Sequence, residues 1–249
     1  MVRHLSSFTD ELIAAHQRNI TFEPGPIVPA TVDEAYFVQT ALVDAIGPVG
    51  GFKVSQRAGS PATMAPIPAS RCFDSGAIVR TPSKVGVELE VGFVVIAALP
   101  DPDDPDFRSK LISAVRPAPM IELVATRLTG PTAEEVMPKL ADLQANEALV
   151  QGDPLVNWDG SDFGTLAISM ASDTGNIWDG PATVPGGSAL RALETLVKIA
   201  GVHCGGVAVG HRILTGTLHP IHWIETGQAV RGRIDGLGAV SVDLAERGS

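Results

Sequence analysis

Hydrophobic and polar positions divide this chain into a short helical front and a longer part made of strand-like runs. Leu12, Ile13 and Ala15 recur at helical spacing behind Ser7-Phe8-Thr9-Asp10, which offers a cap. Thr31-Val32-Asp33-Glu34 has the form of a capping box. An apolar face of Ala35, Phe37, Val38, Ala41, Leu42 and Ile46 follows it, and Gly47 supplies a stop. From Gly50 onward short β-like runs alternate with Gly and Pro. Gly51-Phe52-Lys53-Val54 reads as a strand end, 61–70 as a Pro/Ala-rich loop and 85–99 as the longest strand. The acidic, proline-broken run 101–106 cannot continue a ladder and reads as a solvated turn, with a short helix at 107–115. Residues 119–128 and 165–170 read as strands, with a hairpin turn at Asp173-Thr174-Gly175-Asn176. One strong helix then appears: Ser188 caps it, Leu190, Leu193, Leu196, Val197 and Ala200 line one face, and Gly201 ends it. Strand-like runs at 206–215, 227–234 and 239–244 come next, the last two separated by a turn at Asp235-Gly236. The predicted class is α+β, helices first and then a mixed sheet crossed by one long helix.

The longest strand carries the candidate chemistry. Glu88 and Glu90 flank Leu89 inside an apolar run, and residues two apart on a strand share a face. Adjacent carboxylates in a water-poor setting repel each other and lose solvation, so a cation between them is what keeps them ionised. Oxygen ligands suit a hard divalent ion, Mg²⁺ or Mn²⁺. Glu122, in Met120-Ile121-Glu122-Leu123-Val124, is the natural third ligand. Spacing alone also describes an amphipathic edge strand with two solvated glutamates, so other segments must decide.

Composition narrows the classes. The chain has 249 residues, 45% hydrophobic and 18% charged, enough for a substantial core. A net charge of −10 disfavours nucleic acid and anionic membranes. The two cysteines, Cys72 and Cys204, lie outside any CxxC pattern, and the first seven residues lack a continuous apolar region. These features predict a soluble, cytoplasmic protein with no membrane span.

Several stretches, in order, resemble the 2-keto-4-pentenoate hydratase and 4-oxalocrotonate decarboxylase family of the fumarylacetoacetate hydrolase superfamily. They are Gly51-Phe52-Lys53-Val54, the eight residues from Val87 through Val94 (VELEVGFV), and the nine from Pro119 through Arg127 (PMIELVATR). Leu214-Thr215-Gly216-Thr217-Leu218 and Leu237-Gly238-Ala239-Val240-Ser241-Val242 complete the set. The resemblance implies a helical N-terminal region (1–75) and a mixed β-roll (76–249) packed as one unit, assembled as a homo-oligomer. It implies Glu88, Glu90 and Glu122 as metal ligands, and a 2-oxo acid substrate that chelates the ion while the ion stabilises an enolate. Lys53 matches the family lysine expected to contact the substrate carboxylate or shuttle a proton. Thr215, Gly216 and Thr217 match a hydroxyl-bearing turn beside the substrate. Asp74 aligns weakly with an acidic residue before the metal strand, and is carried as a second catalytic candidate.

Two departures matter. Where the family has Asp-Asn-Ala-Ser-Ser, this chain has Asp142-Leu143-Gln144-Ala145-Asn146, leaving Asn146 as the substitute hydrogen-bonding group for substrate. The family aspartate three residues after the third glutamate is Ala125. The implied activity is therefore a hydratase or decarboxylase on a 2-oxo or 2-hydroxy-dienoic acid. The alternatives are an acylpyruvate-type C–C hydrolase and a non-catalytic member. Among the histidines, His219 could reach the pocket but reads more readily as structural, and no HxxxH or HExxH spacing occurs. His203-Cys204 is rejected as a nucleophile pair, because chain neighbours rarely face each other. Gly205-Gly206 through Gly210 precedes a strand, not a helix, and so lacks a phosphate cradle.

Overall fold

The computed structural model of the protein describes residues 3–56 and 59–248; Met1 and Val2, two of the seven residues read above for a continuous apolar region, lie outside them. Two helices open the chain, α1 (Ser6–Arg18) and α2 (Val32–Ile46). The α2 box forms as expected: Glu34 N–H donates to Thr31 Oγ1 at 3.2 Å, and Glu34 Oε2 accepts from Ala30 N–H at 2.8 Å. The start of α1 differs from expectation. Ser7 and Thr9 lie inside the helix, and Thr9 donates its hydroxyl to the Leu5 carbonyl at 2.9 Å. Burial of Leu5, Phe8 and Leu12 in one cluster with α2 draws the helix start forward.

The first strands are β1 (Val49–Ser55), β2 (Thr63–Pro68), β3 (Cys72–Asp74) and β4 (Ala77–Thr81). The long β5 (Lys84–Val95) leads through α3 (Phe107–Ala114) into β6 (Val115–Val124). A short α4 (Val136–Ala141) precedes β7 (Asn146–Gln151), and the hairpin β8 (Thr165–Ser172) and β9 (Gly175–Thr183) precedes α5 (Ala189–Ala200). The chain continues with β10 (Arg212–Thr217), β11 (His222–Glu225), β12 (Ala229–Ile234) and β13 (Gly238–Glu246). The 61–70 stretch, read as a loop, contains β2. It is an edge strand, where Pro66 and Pro68 cost no interior ladder bond. The 206–215 strand begins only at Arg212, because Gly206 and Gly210 adopt φ of 72° and 90° in the preceding loop.

Two sheets result. One runs β2-β1-β10-β5-β6-β7-β3 with β11 also on β5; the other runs β4-β13-β12-β8-β9. The strands of 49–74 thus lie in a sheet shared with later strands, while 6–46 holds α1, α2 and the loop between them, which makes one isolated bridge, Phe22 to Leu128. Alternation along β5 decides where its carboxylates point. Val85, Val87, Leu89, Val91 and Phe93 enter the main core between the sheets, so Glu88 and Glu90 must face the other way. That side holds a small apolar cluster of Ile67, Ala118, Met120, Leu149 and Leu214. No helix of the described residues is long and apolar enough to cross a membrane.

Candidate metal centre

Glu88 lies directly opposite Glu122 in the antiparallel β5–β6 register, and Glu90 is two residues along on the same face. One oxygen from each of the three carboxylates lies within 4.8 Å of the others. Glu122 is fully buried and Glu90 is 2% exposed. Lys53 arrives from β1, which pairs in parallel with β10 through Gly51↔Arg212, Phe52↔Ile213 and Lys53↔Leu214. Its Nζ donates to both Glu122 oxygens, at 2.6 and 2.7 Å.

Burial, followed by the charge of Glu122, pushes Glu88 up to about 7. Burial and the charges of Glu122 and Glu88 raise Glu90 well above the ordinary carboxyl range. Burial would lower the Lys53 pKa, but Glu122, Glu88 and Glu90 outweigh it and hold it above its usual value, so this lysine stays protonated at neutral pH. With all three ionised, as a bound cation would make them, three carboxylates against one ammonium leave two negative charges, the charge of one divalent cation. The all-oxygen donor set fits Mg²⁺ or Mn²⁺.

The remaining predicted residues divide. Gly216 donates its N–H to Glu90 Oε2 at 2.7 Å, so this turn orients a carboxylate. Thr217 also belongs to the cluster: it lies against Glu88 and gives its hydroxyl proton to the His219 carbonyl. Thr215 does not present a free hydroxyl. It is 2% exposed and donates to the Val91 carbonyl at 2.6 Å, where β10 bulges away from β5. Asn146 donates through Nδ2 to Glu122 Oε1 at 2.7 Å, while its buried Oδ1 accepts no hydrogen bond among the described residues. It acts first on a carboxylate rather than standing free for substrate. Asp74 is not brought to the cluster. Its exposed carboxylate pairs with Arg212, whose register partner Val94 lies well along β5 from Glu90.

Sequence reasoning missed the support behind Asn146. Leu143, Gln144 and Ala145 form a left-handed turn with φ of 51°, 53° and 59°, a conformation that costs non-glycine residues roughly 1–2 kcal/mol each. Asp142 holds it: its oxygens accept from His16 Nε2, Thr126 Oγ1 and Arg127 N–H, each at 2.8 Å. The turn aims the Gln144 carbonyl at Lys53 Nζ, 3.4 Å away. The retained Asp142 was the single legible sign; His16 lies 126 residues away in sequence and gave none.

The histidine and cysteine readings also resolve. His219 is structural: Nε2 accepts from Leu89 N–H at 3.1 Å, Nδ1 lies 2.8 Å from the Pro220 carbonyl, and the ring stacks on Trp178. Cys204 does face His203, at 3.4 Å, against the geometric premise for rejecting them. Even so, burial pushes the thiol up to about 11 and His203 Nε2 engages Gln39, so no thiolate pair forms.

The chain matches no known family model, and no curated protein is similar to it in sequence. Its structure, however, is similar to several solved ones. 4-Oxalocrotonate decarboxylase from Pseudomonas putida G7, complexed with magnesium and adipate, superposes with a TM-score of 0.78 at 17% identity, over 96% of each chain. 5-Carboxymethyl-2-hydroxymuconate delta-isomerase from Mycobacterium smegmatis gives 0.57 at 14% identity, over 80% of this chain and 79% of that one. Fumarylpyruvate hydrolase from Pseudomonas aeruginosa, in complex with Mn²⁺ and pyruvate, gives 0.52 at 14% identity, over 81% and 91%. The chain shares the fold of these enzymes.

Proposed function

We propose that this chain, built on the fold of 4-oxalocrotonate decarboxylase, is a divalent-metal-dependent lyase acting on an unsaturated 2-oxo acid, with decarboxylation favoured over hydration. The observation that carries it is the convergence of Glu88, Glu90 and Glu122 within 4.8 Å beside a protonated lysine. Glu88, Glu90 and Glu122 would hold Mg²⁺ or Mn²⁺, which when bound would supply Lewis acidity for the enolate of a 2-oxo acid. Lys53 contributes a fixed positive charge at the same place. Held on Glu122 and never free as a base at neutral pH, it attracts a substrate carboxylate and can return a proton to carbon. Gly216 and Asn146 fix the carboxylates, and Met120 and Leu214 keep their surroundings apolar.

Decarboxylation is favoured because it breaks a C–C bond without activating water. Hydration and diketone hydrolysis both need a base positioned on a water molecule. Of the six histidines, His16, His203 and His219 are committed to Asp142, Gln39 and the Leu89 amide, and Glu88, whose raised pKa would otherwise suit a base, is taken as a ligand of the ion. The near full-length likeness to the decarboxylase agrees with this choice.

Purified protein, stripped with EDTA and reloaded with Mg²⁺ or Mn²⁺, should consume 4-oxalocrotonate-type acids by ultraviolet absorbance with matching CO₂ release. Consumption without CO₂ means hydration, and pyruvate release from an acylpyruvate means hydrolysis. No turnover of any 2-oxo acid with either metal would overturn the reading.

A further inference from the structure

Away from the carboxylate cluster, the end of α1, the turn before β3, and strands β4 and β7 enclose a cleft of about 570 Å³ lined by Arg71, Arg80, Arg247, His16 and Glu147. Its charge is unlike that of the rest of the molecule. The chain carries a net −10, yet here Arg71, Arg80, Arg247 and the adjoining Arg127 face only Glu147 and Asp142. Both carboxylates are already used. Glu147 is clamped between Arg127 Nη2, at 2.6 Å, and Arg247. Asp142 is taken by His16, Thr126 and the Arg127 amide.

Among the described residues Arg71 makes no ion pair with a carboxylate. Its Nη2 donates to His16 Nδ1 at 2.8 Å and its Nη1 to the Asn146 carbonyl at 3.3 Å. His16 can accept there because it is neutral, with burial and the charge of Arg127 depressing its pKa to about 3. Burial, then the charge of Arg127, likewise lowers Arg71 to about 9, against the opposing pull of the Glu147 and Asp142 carboxylates. Among the described residues the Arg80 guanidinium donates to the Glu246 carbonyl alone, at 3.3 Å.

We infer that this cleft is a second, separate binding site, for a small dianion (a phosphate group or a short dicarboxylate) gripped by Arg71, Arg80 and Arg247. Two surplus guanidinium charges match a dianion, and the planar fork of arginine suits paired oxygens on either ligand. The site sits one residue behind the metal centre. Arg71 and Arg127 both donate to the Asn146 carbonyl, and the Asn146 side chain holds Glu122.

The test is calorimetric titration of the full chain with inorganic phosphate, succinate and, at matched ionic strength, sodium chloride, each with Mg²⁺ and with EDTA. Saturable binding of about one dianion per chain, equal with and without Mg²⁺, is expected for phosphate or succinate and absent for chloride. Whichever of the two binds tighter identifies the natural chemistry as phosphoryl or dicarboxylate. Arg80→Gln, exposed and free of ion pairs, should fold normally and raise Kd about tenfold, the worth of one charge-assisted contact. Arg71→Gln should abolish binding. A response that chloride reproduces, that requires Mg²⁺, or that Arg80→Gln leaves unchanged would overturn the proposal.

Discussion

Lys53 is the residue on which the electrostatics of the cluster turns. It is the ammonium set against three carboxylates, so its two effects on chemistry and on metal binding have opposite signs. Lys53→Met should lower kcat by about 10²–10³-fold, the usual cost of deleting a placed charge in a dry site. It should also tighten Mn²⁺ binding several-fold, since a repelling cation has gone; competition titration with a metal-sensitive dye checks the second sign. His16 makes a separate prediction. Its folded pKa of about 3 lies below the ordinary histidine value of 6.5, so over that window the unfolded state binds the proton and falling pH favours unfolding. The stability advantage of the wild type over His16→Gln should therefore shrink by about 2 kcal/mol from about pH 7.5 to about pH 5. Urea unfolding of both proteins at the two pH values measures it, and groups common to both cancel.

Among the elements, two backbone features position the site. The left-handed turn Leu143–Ala145 stores strain that glycine would relieve. Ala145→Gly should leave stability unchanged or raise it by up to about 1 kcal/mol, whereas Ala192→Gly inside α5 should cost about 1 kcal/mol, as for a helix interior. The freed turn should still lower turnover, because Gln144 and Asn146 would no longer be held toward Lys53 and Glu122. Thermal melts beside the CO₂ assay separate the two effects. The second feature is the close approach of β1 to β10: a Cβ on Gly51 would meet the Arg212 carbonyl oxygen at 2.1 Å. Gly51→Ala should push β1 away, lose about 1–3 kcal/mol of stability as overpacking does, and withdraw Lys53 from Glu122. Turnover in that variant should fall more steeply than in core variants of equal stability elsewhere.

At the scale of the whole molecule, the two uncompensated negative charges predict that the fold and the ion are linked. EDTA should lower Tm and Mg²⁺ should raise it with rising concentration, as any ligand that binds only the folded state does, and Glu90→Gln should lose most of that response. Differential scanning fluorimetry decides the point. Much of this architecture was legible in the chain. The Thr31 box, the Ser188–Gly201 helix and the β5 alternation rest on local periodicity, which side-chain direction translates into faces without help from distant residues. Glu88 and Glu90 on one face follow from spacing alone, and Glu122, the third carboxylate in an apolar run, was supported by the ordered resemblance. What spacing could not supply was pairing. That β2 is a strand depends on its being an edge; that Asn146 holds Glu122, that Thr215 turns inward and that Asp74 goes to Arg212 depend on which strands lie side by side. The buried contact between His16 and Asp142 joins positions 126 residues apart. Local sequence sets which way a side chain points, but only the closed sheets determine what it meets there, because burial and partner charge are properties of the packed chain.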